Sequence, residues 1–241
     1  MNKPKCIVLL SGGMDSSTLL ALAQQQFDVI ALTLIYGQRH QVEVEFAKAV
    51  AAHFKVPHKV MDVSNISELL QGSSLTSPEI AVPQGHYEDE SMKATVVPGR
   101  NTILLSLALG YCISQNGQIV AYAAHAGDHV VYPDCRPEFI LAMAGVFNKA
   151  HYYPVALWVP FQNMDKGDIL VAGIPLGVPY ECTWTCYDPQ PIMDGKGVKG
   201  SPYVKYAACG RCGACQERLL GFAKIGQEDP IDYVTREILE A

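Results

Sequence analysis

Ser11-Gly-Gly-Met-Asp-Ser-Ser17 stands between an apolar run, Cys6-Ile-Val-Leu-Leu10, and an apolar helical pattern, Leu19-Leu-Ala-Leu-Ala23. That order reads as strand, glycine turn, helix amino terminus. The first turn of a helix leaves backbone N–H groups without intrahelical partners and carries the positive end of the helix dipole, so the junction offers a seat to an anion. Gly12 and Gly13 allow a sharp turn and a close approach of backbone to ligand, because no Cβ intervenes. Ser11, Ser16 and Ser17 add hydroxyls, and Asp15 can hold a metal ion or cap the helix. A phosphate or pyrophosphate is the guest these groups suit. An ordinary tight turn accounts for one glycine and one serine, but not for this density of glycines, hydroxyls and an acid. Neither G-x-x-x-x-G-K-[ST] nor a G-x-G-x-x-G followed by an acid at the next strand is present, which excludes two common phosphate loops.

Outward from this loop, strand-like and helix-like segments alternate. Residues 29–36 form a continuous apolar strand pattern. Residues 42–54 carry helical spacing through Val42, Phe46, Ala49, Val50 and Phe54. A short strand at 58–63 leads into a small helix beginning at Ser64. Residues 72–97 hold turn and polar residues and read as an irregular excursion. A buried helix is expected over 102–115, a strand over 118–123 and a helix over 137–149 with Pro137 in its first turn. A further strand follows at 155–159, and Asp165 caps a helix that ends near Gly173 or Gly177. The alternation predicts βαβ units and therefore an α/β fold, a doubly wound, mostly parallel sheet with ligands at the carboxyl ends of its strands. From about Pro179 the texture turns to Gly, Pro, Cys and polar residues with little periodicity. The expected division is a nucleotide-binding domain over 1–178 and a coil-rich metal-binding segment over 179–241 packed on it.

The 241-residue chain is 49% hydrophobic and only 17% charged, the profile of a compact fold around one core. Its formal charge of −6, without a basic run, disfavours a stable nucleic-acid partner. Lys3 and Lys5 before an apolar stretch resemble a signal peptide only faintly, since Gly12, Gly13 and Asp15 interrupt that stretch. The longest apolar run, 103–113, is too short to span a bilayer. A cytoplasmic location without a membrane partner is the expectation. Eight cysteines in that compartment point to metal or reactivity rather than disulfides.

Cys209-Gly-Arg-Cys-Gly-Ala-Cys215 spaces three thiols as C-x-x-C-x-x-C, with Cys186 upstream. Two residues between thiols let a tight turn aim both sulfurs at one ion, and four thiolates satisfy tetrahedral Zn²⁺. An iron–sulfur cluster is the rival, because cysteine thiolates hold those too. Cys182 is an alternative to Cys186 as fourth ligand. Cys6 and Cys112 fall in core elements, where packing explains them.

Several segments together resemble one family. Ser11–Ser17 is similar to the PP-loop, S-G-G-x-D-S, of the ATP pyrophosphatase superfamily, whose members split ATP between the α and β phosphates. Pro98-Gly-Arg-Asn101, Tyr132-Pro-Asp-Cys-Arg136, Thr183-Trp-Thr-Cys-Tyr187 and the Cys209–Phe222 tail then resemble, in consistent order, the 7-cyano-7-deazaguanine synthase (QueC) family of the queuosine pathway. That resemblance implies a ligase that converts 7-carboxy-7-deazaguanine and ammonia to the nitrile, with ATP, Mg²⁺ and a structural Zn²⁺ held by Cys186, Cys209, Cys212 and Cys215. It implies a nucleotide site over Leu9, Leu10, Ser11, Gly12, Gly13, Met14, Asp15, Ser16, Ser17, Thr18 and Leu19. Within it the loop holds pyrophosphate, Asp15 meets Mg²⁺, and adenine stacks near the backbone of 32–34. Arg100 clamps a phosphate or the substrate carboxylate, or else makes a structural ion pair. Asp134 is a candidate reader of the N1–H and 2-amino edge, with Asp128 as second option. Arg136 contacts a carboxylate or phosphate; a mutual Asp134–Arg136 pair is the plainer reading of both. His125 and His129 flank Asp128. Trp184 stacks on the base or packs in the core, and Cys135 packs. The family is often dimeric, so a homodimer is expected.

Two features depart from the family pattern. Typical members have a short spacer between the first metal cysteine and C-x-x-C-x-x-C, whereas here 187–208 intervene with Lys196, Lys199 and Lys205. Val130-Val131 also stand where many members have Ser-Gly. These departures leave two rival readings: a paralogue that passes the activated acid to an amine on a protein or nucleobase, and an RNA thiolase with an iron–sulfur cluster. A nucleotide-binding module is a third, for which the Asp134–Arg136 block serves no purpose.

Overall fold

A strand covered on both faces must be apolar on both, and β1 (Lys5–Leu9) meets that condition. Cys6 and Val8 point to a layer containing Leu19, Leu20, Ala47, Val50 and Ile169, while Ile7 points to a layer containing Leu105, Leu109, Met143 and Phe147. These layers are helices. On the first face lie α1 (Met14–Gln26), α2 (Glu43–His53) and α5 (Lys166–Gly173). On the second lie α3 (Arg100–Ser114) and α4 (Pro137–Phe147). The computed structural model describes residues 3–39, 41–192 and 206–239. Most of the 187–208 insertion, with Lys196, Lys199 and Lys205, therefore lies outside the described residues.

The five strands β1, β2 (Asp28–Ile35), β3 (His58–Asp62), β4 (Ile119–Ala121) and β5 (Ala156–Trp158) are ordered β3-β2-β1-β4-β5, and every pairing is parallel. The chain winds outward from β1 to β3, then returns to β4 beside β1 and winds the other way. That reversal opens a crevice at the carboxyl ends of β1 and β4, where the Ser11 loop begins. The sheet is the doubly wound α/β architecture expected from the alternation. β4 and β5 are shorter than the apolar runs that suggested them. Asp165 caps α5 through a reciprocal pair with the Asp168 amide and side chain. A 3₁₀ turn, Ile174–Leu176, extends this helix to Gly177, whose φ of 72° ends it.

The carboxyl-terminal segment differs from the coil expected of it. Besides an antiparallel pair of two-residue strands, β6 (Gln190–Pro191) and β7 (Tyr206–Ala207), it contains α6 (Gly213–Lys224), which packs on α5. Gly213 and Gly221 weaken the helical pattern in sequence but are required by packing. A Cβ on Gly213 would lie 2.8 Å from the Met92 sulfur, and one on Gly221 would lie 2.8 Å from Cγ of Lys166. Arg218, fully buried, ties the segment together: it pairs with both carboxylate oxygens of Asp229 and donates to the Tyr180 carbonyl and the Thr183 hydroxyl. The 72–97 excursion reaches the same segment, since the Gly85 amide donates to the Arg211 carbonyl. No described helix is long and apolar enough to cross a membrane.

Candidate active site

A cavity of about 240 Å³ opens at the crevice, and Leu9, Leu10, Ser11, Gly13, Asp15 and Ser16 of the first loop line it. The loop is braced internally. The Ser11 and Ser16 hydroxyls are 2.9 Å apart, the Gly13 amide donates to Ser11 Oγ, and the Ser17 hydroxyl donates to the Gly13 carbonyl at 2.7 Å. Gly12, Met14, Ser17, Thr18 and Leu19 turn into the protein instead; Thr18 meets the Tyr180 hydroxyl at 2.9 Å. The reason for Gly12 is packing. Its φ is +90°, and a Cβ there would lie 2.2 Å from the Glu43 carbonyl at the start of α2. Close approach of α2, rather than of a ligand, fixes that position.

One end of the cavity is ionic and is assembled from four separate segments. Lys166, the first residue of α5, points its buried ammonium at Asp15 Oδ2 (2.7 Å), Glu217 Oε2 (3.1 Å) and His125 Nε2 (3.0 Å). His125 Nε2 also lies 3.8 Å from Asp15, 3.6 Å from Asp128 and 3.8 Å from Glu217. A neutral imidazole has one hydrogen to place. With Nε2 accepting from Lys166, Nδ1 carries it; with Nδ1 accepting from the Gly127 amide (3.1 Å), Nε2–H faces the carboxylates. Burial works against the charge of Asp15, yet adjacent Lys166 and His125 hold its carboxyl below the usual range. Burial likewise opposes the ammonium of Lys166, and Asp15 and Glu217 outweigh it, holding its pKa above the ordinary lysine value. For Glu217 burial, joined by Asp128 and Asp15, outweighs Lys166 and raises the carboxyl. Asp15 Oδ1 is buried and without a hydrogen-bond partner among the described residues.

The other end is built of rings. Tyr36, Glu43, Leu75, Arg100, Tyr122, Tyr132 and Tyr187 line it. Arg100 begins α3, and its guanidinium lies 5.9 Å from the Tyr132 ring centre. The Tyr132 hydroxyl is fixed by Thr95 (2.6 Å). Glu43 Oε1 accepts from Gln38 Nε2 at 3.2 Å. Burial pushes the Glu43 carboxyl up to about 7 against the pull of Gln38 and Arg100.

Of the residues selected from sequence, Asp15, Arg100, His125 and Asp128 meet in this cavity, whose described walls include neither Asp134 nor Arg136. A 3₁₀ turn, Pro133–Cys135, explains the placement: it points the Cys135 thiol inward, and its neighbours diverge. Asp134 Oδ2 accepts from the Asn101 amide in the first turn of α3 (3.2 Å), and Arg136 donates to the His129 carbonyl (2.8 Å). Cys135 lies 3.2 Å from the Tyr122 hydroxyl, and burial pushes its thiol up, so it stays protonated and inert. Trp184 also lines the cavity, buried and with its ring stacked on Phe46 at 5.3 Å. Lys166, Glu217 and Glu43 were missed. Lys166 follows the residue read as a cap, Glu217 lies just past the last cysteine of the motif, and Glu43 lies in a helix pattern read for its apolar positions. Their meeting is purely tertiary.

Behind the cavity the Sγ atoms of Cys186, Cys209, Cys212 and Cys215 all lie within 4.8 Å of one another. Cys182 is outside this group. The amides of Arg211 and Cys212 both donate to Cys209 Sγ, at 3.4 and 3.3 Å, and those of Asp188 and Cys209 donate to Cys186 Sγ, at 3.3 and 3.2 Å. Amides aimed at sulfur stabilise thiolates. A single tetrahedral ion with metal–sulfur bonds of about 2.3 Å places its sulfurs about 3.8 Å apart. The 3.9 Å between Cys209 and Cys215 matches that spacing. A cluster that puts thiolates on different irons needs wider separation.

Comparison with known proteins agrees with these motifs. The family described as "Queuosine biosynthesis protein QueC" matches residues 5–226. The chain is 50% identical over 228 residues to the 7-cyano-7-deazaguanine synthase of Marinobacter nauticus, covering 94% of this chain and 96% of that one. It is 48% identical to the enzyme of the same name from Pseudoalteromonas translucida, covering 95% and 98%. The corresponding protein of Caldicellulosiruptor bescii is 45% identical over 95% of this chain and 97% of its own. With a family match across nearly its whole length and relatives about half identical from end to end, the chain belongs to the QueC family.

Proposed function

We propose that the chain is a carbon–nitrogen ligase that converts 7-carboxy-7-deazaguanine and ammonia to 7-cyano-7-deazaguanine using ATP. One observation carries this reading: relatives about half identical over nearly their full length bear the name of that synthase. The cavity suits the chemistry, joining an anion-seating turn to a ring-lined wall that holds Arg100.

The acid's carboxylate oxygen attacks the α-phosphorus of ATP, the bond to the β-phosphate oxygen breaks, and pyrophosphate leaves. Ammonia attacks the acyl carbon of the adenylate, AMP departs with the bonding pair, and loss of a proton gives the amide. The amide oxygen then attacks the α-phosphorus of a second ATP and a second pyrophosphate leaves; loss of AMP and of the remaining N–H protons leaves the nitrile. The protein's part is alignment and charge stabilisation. Ser11, Ser16 and the first-turn amides of α1 hold pyrophosphate, and Arg100 steers the acid's carboxylate or the α-phosphate. Asp15 fits a Mg²⁺ that accompanies ATP, because its Oδ1 is buried without a partner among the described residues. Asp134 holds the first turn of α3 and thereby Arg100; Arg136 fastens the preceding loop. The four thiolates hold a structural Zn²⁺ that ties 179–241 onto 1–178. A cytoplasmic homodimer without nucleic-acid or membrane partners completes the proposal.

The test is to supply purified protein with ATP and the acid, with and without ammonia, and identify products by mass. Nitrile, AMP and pyrophosphate are expected with ammonia. Acid-dependent AMP formation without nitrile overturns the synthase in favour of transfer to another amine. Metal analysis should give one zinc per chain in a colourless protein; a visible iron–sulfur band counts for a thiolase.

A further inference from the structure

Under the synthase reading the cavity seats two flat rings, adenine and deazaguanine, whose edges differ. A guanine-type edge offers two N–H donors side by side, the ring N1–H and the 2-amino group, and one carboxylate accepts both. Adenine offers a donor beside an acceptor, so a carboxylate there gains one hydrogen bond and faces a lone pair.

Four carboxylate side chains line the cavity among the described residues: Asp15, Glu43, Asp128 and Glu217. Three of them converge on His125 Nε2 at 3.6 to 3.8 Å, and two of those also hold Lys166. That end is matched to phosphates and a cation. Glu43 lies instead on the ring-lined wall, where its charge and that of Arg100 both act on the buried Tyr36. Its carboxylate is held in place. Gln38, only 2% exposed, accepts from the Tyr36 amide at 2.8 Å and donates to Glu43 Oε1 at 3.2 Å. The backbone of Glu43 is pinned at the same time by its close fit on Gly12. Of the two acids selected from sequence, Asp134 does not reach the cavity wall and accepts from the Asn101 amide. Asp128 accepts from the Tyr87 hydroxyl at 2.9 Å and faces His125.

We propose that Glu43 selects the substrate ring, its carboxylate accepting the N1–H and 2-amino hydrogens of the deazaguanine acid. The assignment rests on the synthase reading and makes Glu43 a specificity-determining residue. Its setting is dry, as the carboxyl raised to about 7 shows, so a hydrogen bond accepted there is strengthened by the low local dielectric.

The experiment measures acid-dependent pyrophosphate release by the native protein and by Glu43→Gln. The substrates are 7-carboxy-7-deazaguanine and its analogue lacking the 2-amino group. A glutamine presents one acceptor and one donor, so KM for the acid should rise about 10- to 100-fold while KM for ATP stays within about twofold. The native protein should penalise the analogue by a similar factor, and Glu43→Gln should accept acid and analogue alike. A rise in KM for ATP with that for the acid unchanged assigns Glu43 to adenine and overturns the proposal. So does a native protein that takes the analogue as readily as the acid, a comparison that needs no variant to fold. A native protein that releases no pyrophosphate in response to the acid removes the synthase reading itself, and the assignment with it.

Discussion

At one end of the cavity Asp15, Asp128 and Glu217 surround Lys166 and His125; at the other, Glu43 and Arg100 sit among Tyr36, Tyr122, Tyr132 and Tyr187. The same residue type behaves differently at the two ends. Against its burial, Asp15 is held below the usual carboxylate range chiefly by Lys166 beside it, whereas burial pushes Glu43 up to about 7. The ionic end is thus a set of charges already compensating one another, able to exchange a partner for an incoming phosphate or cation without paying for a new buried charge. The ring end offers apolar area and a few fixed polar atoms, the composition of a site that recognises shape. Substitutions at the first end should therefore lower kcat, and those at the second should raise KM.

The largest effect is expected from Asp15→Asn. Asparagine keeps the shape but removes the charge on which Lys166 and a cation with ATP depend. Loss of one charge-stabilising group of this kind lowers kcat by about 10²- to 10³-fold. Lys166 keeps Glu217 at 3.1 Å, so the fold should survive. Single-turnover pyrophosphate release measures the step directly. A variant with unchanged kcat and weakened binding of the acid would erase the distinction between the two ends.

Arg100→Lys tests the ring end with a smaller expected loss. The guanidinium centre lies 5.9 Å from the Tyr132 ring centre, and its planar fork suits a carboxylate or phosphate. An ammonium keeps the charge and loses both geometries. KM for the acid should rise about tenfold, the lower end of what a charged hydrogen bond contributes. Equal losses with the acid and with its analogue lacking the 2-amino group would place Arg100 on the carboxylate or phosphate rather than on the ring edge.

What was legible in the sequence followed the range over which each signal acts. Ser11–Ser17 declared itself because strand, turn and helix start are adjacent in the chain. The sheet order was legible as a class from the alternation of apolar runs. The cysteine spacing marks Cys209, Cys212 and Cys215, and only folding brings Cys186 to them. The ionic end was not legible. Lys166 and Glu217 are 51 positions apart, and the helix carrying Glu217 was disguised by Gly213 and Gly221, which exist to let Tyr87, Met92 and Lys166 approach. The Tyr132–Arg136 block divides for the opposite reason. Five residues look like one unit in sequence, but a 3₁₀ turn sends Cys135 inward, Asp134 to an amide of α3 and Arg136 back to its own loop.

The smallest effect sharpens the contrast between the two acids through the pH dependence of stability. Glu43 titrates at about 7 in the folded protein against 4.5 as an ordinary glutamate. Across that window the folded state keeps a proton that the unfolded chain has released, so the Glu43 contribution is fully present below pH about 4.5 and is lost as pH rises towards 7. Asp15 has the opposite sign: its depressed pKa contributes stability above the unfolded value of 3.8, lost as pH falls through the folded one. Between pH about 5 and 7 Asp15 should therefore add no slope, while Glu43 slopes downward; Glu217, whose carboxyl is also raised, has the sign of Glu43. Urea midpoints of the native protein minus those of Glu43→Gln isolate the first of these; Gln38, Arg100 and Tyr36 are among the described groups that face it. That difference should fall as pH rises from 5 to 7.5. A flat difference would mean that Glu43 is solvated like a surface glutamate, and the ring end would lose the dryness on which its selectivity is argued.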